Sequence, residues 1–295
     1  MKLVRFGAPG EERPGVVDQQ GRVRDVSARV SDWTGEALNP DWLAEFSATD
    51  IPSFPIAPAD ARLGAPVPTP GKIVCIGLNY ADHAAETGFE LPAEPPVFFK
   101  SPTAICGPTD PIKIPRTAKA VDWEVELALV IGRPMVDVGE EEAMAGVAGF
   151  AVANDVTERN WQFQRGGQWS KAKSADTFAP LGPWLVTPDE AADLGARRIW
   201  LQKNDVVRQD SILGRMIFTA PQIVAYLSAF MRLMPGDVIL TGTPHGVAYN
   251  KPEPDYLRPG DLLCCGIEGL GEQLTKVAHA DSRNSSQTQS RGRAT

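Results

Sequence analysis

The chain has 295 residues, 43% of them apolar, and its 37 acidic against 29 basic side chains give a formal charge of −8. That length suits one large domain, or a catalytic domain with a small appendage. The acidic balance excludes an electrostatic nucleic-acid binder, which needs a basic footprint, but leaves small anionic substrates open, because a metal can reverse the local field.

The start, MKLVRFGAPGEE, lacks the apolar core of a signal peptide, and no apolar run approaches the ~20 residues of a membrane helix. Cys75, Cys106, Cys264 and Cys265 form neither a zinc pattern nor a disulfide framework. The expectation is a reduced, cytoplasmic protein that binds neither membrane nor nucleic acid.

Plentiful Gly and Pro, 27 and 26 residues, punctuate short apolar runs and predict a mainly β chain with few helices, an α+β class. KLVRF, PGVV and GRVRDVS predict a small β meander. Asn39 can cap a short helix whose first turn holds Pro40 and whose apolar face is Trp42, Leu43 and Phe46. The proline-rich stretch 52–71 reads as an extended connector. It sets an expected division into a small N-terminal β domain, 1–66, and a catalytic domain, 67–280. KIVCIG, VFFK and AICG predict strands, VDWEVELALVIG and VAGFAVAND longer ones. Thr219 and Pro221 start a helix with Ile223, Val224, Leu227 and Phe230 at helical spacing. VILTG returns to strand, DLLCCGIEGLGEQLTKVA reads as a strand pair, and the polar stretch 281–295 predicts a disordered tail.

Glu124 and Glu126 stand two apart, so on a strand they share a face. Two carboxylates at the mouth of a buried strand repel each other and are costly to bury unpaired; a divalent cation relieves both problems. Asp155, at the end of VAGFAVAN, is a candidate third ligand, and three carboxylates suit Mg²⁺ or Mn²⁺ better than zinc. On spacing alone, an edge strand with two solvated glutamates is the favoured reading, and Asp155 could equally be a helix cap.

Six blocks then occur in one order: IGLNYADHAAE, FFKSPTAICGP, VDWEVELALVIG, ANDVTERNWQ, KAKSADTFAPLGPW and GDVILTGTPHGV. Together they resemble the fumarylacetoacetate hydrolase superfamily over roughly residues 70–278. The resemblance implies a mixed β-sandwich roll, a homodimer, and Mg²⁺ or Mn²⁺ held by Glu124, Glu126 and Asp155. It implies substrates whose 2-oxo acid or 2-hydroxy-enoate group chelates that ion. It assigns water activation to His83 and Glu86 on a lid-like segment, where i, i+3 spacing on a helical turn lets the two hydrogen-bond. It selects Lys173, rather than Lys171, to stabilise negative charge, and places Arg159 and Gln162 near the substrate. Thr243, in the tight turn TGTPHGV, is the expected substrate contact there, whereas His245 lies outside the family pattern.

One segment departs from the family. Where members carry a stretch like QDSNTSDMIF, this chain reads RQDSILGRMIF, so Ile212, Leu213, Gly214 and Arg215 replace a polar core. The expected function is metal-dependent hydrolysis of a C–C bond in an acylpyruvate-like 2-oxo acid. An oxaloacetate-type decarboxylase, a 2-hydroxyhepta-2,4-diene-1,7-dioate-type isomerase and, in another class, a non-catalytic 2-oxo-acid-binding or scaffold protein are the alternatives. No H-E-x-x-H, G-x-S-x-G, P-loop or dinucleotide fingerprint is present.

Overall fold

A computed structural model describes residues 1–82, 86, 90–249 and 251–280; the expected tail 281–295 lies outside them. Its nineteen strands, in chain order, are β1 (Lys2–Phe6), β2 (Arg13–Val17), β3 (Val23–Asp25), β4 (Leu63–Gly64), β5 (Ile73–Ile76), β6 (Val97–Lys100), β7 (Ile105–Cys106), β8 (Ile112–Ile114), β9 (Val121–Asp122), β10 (Val125–Ile131), β11 (Val147–Asn154), β12 (Thr157–Glu158), β13 (Ala179–Pro180), β14 (Leu185–Val186), β15 (Arg198–Lys203), β16 (Val206–Ile212), β17 (Val238–Leu240), β18 (Leu262–Ile267) and β19 (Gly271–His279). The chain is mainly β, as expected from its punctuated apolar runs.

Ten strands form a mixed sheet in the order β3-β2-β1-β14-β11-β10-β17-β5-β6, with β4 on β1. Every residue of β10 and β11 is buried, because VELALVI and VAGFAVAN carry almost no polar group to expose. A five-stranded sheet, β16-β15-β18-β19-β8, packs against it. The N-terminal strands are continuous with the large sheet, since Leu3 pairs with Leu185 and Lys2 with Val186. The stretch 52–71 is largely irregular, as its prolines require, but Leu63 and Gly64 pair with Phe6 and Arg5.

Both anticipated helices form. Asn39 accepts from Asp41 N at the start of Pro40–Ser47, and Thr219 N donates to Gln222 Oε1 at the start of Ala220–Phe230. No helix among the described residues is long and apolar enough to cross a membrane, and all four cysteines are free.

VDWEVELALVIG, expected as one strand, is broken at Trp123–Glu124. The Asp122 carboxylate accepts from Trp123 N at 2.9 Å, and Asn154 Oδ1 accepts from Glu124 N at 2.9 Å, so side chains take the backbone donors that a ladder would otherwise satisfy. Val121 and Asp122 pair instead with Glu158 and Thr157. Register resumes with Val125 opposite Asn154, and Asp155 N donates to Glu124 O at 2.8 Å. This pairing sets Glu124 and Glu126 beside Asp155, 29 residues further on.

Candidate metal centre

Oxygen atoms of Glu124, Glu126 and Asp155 lie within 4.8 Å of one another, and all three residues are buried. The interior supplies cations for part of this charge. Lys173 Nζ donates to Glu124 Oε2 at 2.7 Å, Asp155 Oδ2 at 2.6 Å and Thr157 Oγ1 at 2.7 Å. Lys100 Nζ donates to Asp155 Oδ1 at 2.6 Å. Arg159 Nε donates to Asp122 Oδ2 at 2.9 Å, and its Nη2 stands 2.7 Å from Glu124 Oε1.

Glu126 is treated differently. Its Oε2 accepts the Gly242 N–H at 2.7 Å, but none of the ion pairs among the described residues involves it. Burial, then the Asp155 and Glu124 charges, push its carboxyl well above the ordinary carboxylate range, against weaker opposition from Lys173 and the Gly242 N–H. Including Asp122, four buried carboxylates face three cations. Three converging hard oxygen donors with residual negative charge fit a divalent cation of the Mg²⁺ or Mn²⁺ kind, with Glu124, Glu126 and Asp155 as the residues that would hold it.

A cleft opens onto this cluster. The residues expected from the sequence gather around it: Glu124, Glu126, Arg159, Gln162, Lys173 and Thr243 all line it. Lys173 is buried, whereas Lys171 points to solvent. Gln162 Oε1 accepts from Arg159 Nη1 at 3.0 Å. Thr243 Oγ1 donates to Val125 O at 2.9 Å and accepts from Gln209 Nε2 at 2.8 Å. Glu86 Oε2 accepts from Gly246 N at 2.8 Å, against the loop that carries Thr243; His83 lies outside the described residues. His245 and Arg215 converge on Asp82, at 2.9 and 3.9 Å, and neither lines the cleft.

Four further kinds of contributor lie outside the residues expected from the sequence. Lys100 ends VFFK, where alternation turns Phe98 and Lys100 inward, and a lysine at an inward position signals a buried partner. Asp122 continues the two-residue period of Glu124 and Glu126. It accepts from Ala248 N and Tyr249 N as well as from Arg159. Gln209 bridges Val125 N, Thr243 and Pro244 O. Aromatic side chains line the cleft: Phe98 meets Trp169 edge to face, ring centres 5.4 Å apart, and Phe163 stacks on Tyr249 at 4.6 Å. Gly77 makes room for this wall, since a Cβ there would lie 2.6 Å from the Trp169 ring.

The Fumarylacetoacetate (FAA) hydrolase C-terminal family model matches residues 72–278. A Burkholderia multivorans protein named only as a hydrolase is 52% identical over 275 residues, spanning 93% of this chain and 98% of its own. Among solved structures, the 5-carboxymethyl-2-hydroxymuconate delta-isomerase of Mycobacterium smegmatis superposes with a TM-score of 0.76 at 34% identity, over 96% of this chain and 100% of its own. The maleylpyruvate hydrolase of Sphingobium sp. SYK-6, in complex with manganese(II) ion and pyruvate, superposes at 0.79 with 30% identity, over 95% of this chain and 100% of its own. With its fold, its buried carboxylates and its sequence all in agreement, the chain belongs to the fumarylacetoacetate hydrolase family.

Proposed function

We propose that this protein is a divalent-metal-dependent hydrolase that cleaves the C–C bond of an acylpyruvate-like 2-oxo acid. The observation that carries this reading is the buried trio Glu124, Glu126 and Asp155, two of which, Glu124 and Glu126, line a cleft together with Arg159, Gln162, Lys173 and Thr243. A bound Mg²⁺ or Mn²⁺ would act as a Lewis acid toward the 2-oxo acid.

The chain's own residues do the rest. Gln162 gives its Oε1 to Arg159, so its amide N–H groups are what it offers a substrate carboxylate. Lys173, fixed at 2.6–2.7 Å from three oxygens, is a stationary cation beside the pyruvate enolate that leaves. Thr243, tied to Val125 and Gln209, shapes the wall. His83 removes the proton from the attacking water, and Glu86, held by Gly246 N, orients it. Water adds to the distal carbonyl, the bond between that carbon and C3 of pyruvate breaks, and C3 takes up a proton, giving a carboxylate and pyruvate. A homodimer belongs to the same proposal.

The test is product analysis on purified protein with Mn²⁺. Equimolar pyruvate and carboxylic acid from an acylpyruvate is the expected outcome; CO₂ from oxaloacetate without such cleavage would replace this reading by decarboxylation. Likeness to the Mycobacterium smegmatis isomerase favours a second reading, isomerisation, which a spectral shift of a hydroxydiene dioate without pyruvate release would establish. Metal-dependent binding of the 2-oxo acid with no turnover of any of these compounds would leave the non-catalytic reading.

A further inference from the structure

The apolar lining of the cleft is Phe98, Phe163, Trp169 and Tyr249, together with Ile76, Gly77 and Leu78. Among the described residues, the cations that line the cleft are Arg159 and Lys173, and they are engaged by Asp122, Glu124 and Asp155. Both also lie against the aromatic lining, Arg159 5.5 Å from the Tyr249 ring centre and Lys173 5.0 Å from that of Phe98. Arg215 and His245, basic side chains that could have met an acidic substrate tail, stand against Asp82, and neither lines the cleft.

A ring face carries the negative part of the aromatic quadrupole, and a carboxylate buried against apolar groups without a partner loses hydration with no return. A flat neutral group gains both burial and stacking on the same wall. Building on the 2-oxo-acid reading above, we infer that the substrate's distal substituent is an uncharged planar or aromatic group, as in an aroylpyruvate, and not a second carboxylate.

Two probes that share the 2-oxo acid head and differ in the tail separate these cases without turnover. 2-Oxo-4-phenylbutanoate and 2-oxohexanedioate are titrated calorimetrically into the full chain with Mn²⁺. The phenyl compound is expected to bind at least about tenfold more tightly, about 1.4 kcal/mol. Equal affinities, tighter binding of the dioate, or binding of neither would overturn the inference. Tyr249→Lys, which adds a cation to the wall, should reduce that ratio by about tenfold or more while the circular dichroism spectrum is kept; a folded variant with an unchanged ratio also overturns it. Selective binding of the phenyl compound without pyruvate release from any acylpyruvate would sink the hydrolase reading alone. Pyruvate release with a preference for carboxylate tails would sink this inference alone.

Discussion

Glu126 and Lys100 show how differently two buried charges can be supported. Glu126 has a backbone N–H and two carboxylate neighbours that oppose its ionisation. Replacing it with Gln removes a ligand charge, so Mn²⁺ affinity should fall by more than the about 10–100-fold typical of losing an outer-shell partner, as read by calorimetry. Lys100 and Asp155 are both fully buried and 2.6 Å apart. Lys100→Met leaves Asp155 with Lys173 as its one remaining cation among the described residues and should cost about 3–5 kcal/mol in a denaturant titration of metal-free protein; a change within experimental error would show that Lys173 alone suffices. The E-x-E pair is legible in the sequence because a strand repeats every two residues. Lys100 is much less so: a terminal lysine of an apolar run usually marks where a strand meets water, and only its pairing with Asp155, 55 residues away, makes it interior.

At the scale of elements, site precision comes from irregular backbone between strands. Asp122 interrupts the strand, takes the N–H groups of Trp123, Ala248 and Tyr249, and holds Arg159. Asp122→Ala leaves four donors short of an acceptor and should destabilise the chain by about 3–5 kcal/mol, with Asp122→Asn costing less; equal thermal midpoints for the two variants would contradict this role. The apolar runs, both helices and their caps were readable because each rests on local periodicity or capping chemistry. The break at Trp123–Glu124 was not, since it depends on Asn154 and on the pairing of Asp122 with Thr157, contacts that exist only once the sheets are assembled. The aromatic wall escaped notice for the same reason: Phe98, Phe163, Trp169 and Tyr249 come from four separate stretches with no shared period.

Across the whole molecule, separate segments are tied by charge as well as by sheet. Arg62, from the proline-rich stretch, donates to Glu12 at 2.9 Å and Asp110 at 2.7 Å. Burial alone would push both carboxyls up, but hydrogen bonds to Arg62 and to backbone N–H groups bring each below its ordinary value. Carboxyls depressed in the folded state contribute stability that is present above their unfolded values, near pH 4, and is lost as pH falls through the folded ones. Wild-type protein should therefore lose more of its urea resistance between pH 5 and pH 3 than Arg62→Ala; equal losses would remove this clamp from the account.

The central claim is that the buried carboxylates serve chemistry only with a divalent ion among them. Pyruvate release from an acylpyruvate by chelator-treated protein, followed as Mn²⁺ is restored, tests it most directly. Release should be absent without the ion, return with saturating Mn²⁺, and stay absent in Glu126→Gln. Full turnover in excess chelator, by wild type or by Glu126→Gln, would contradict the claim.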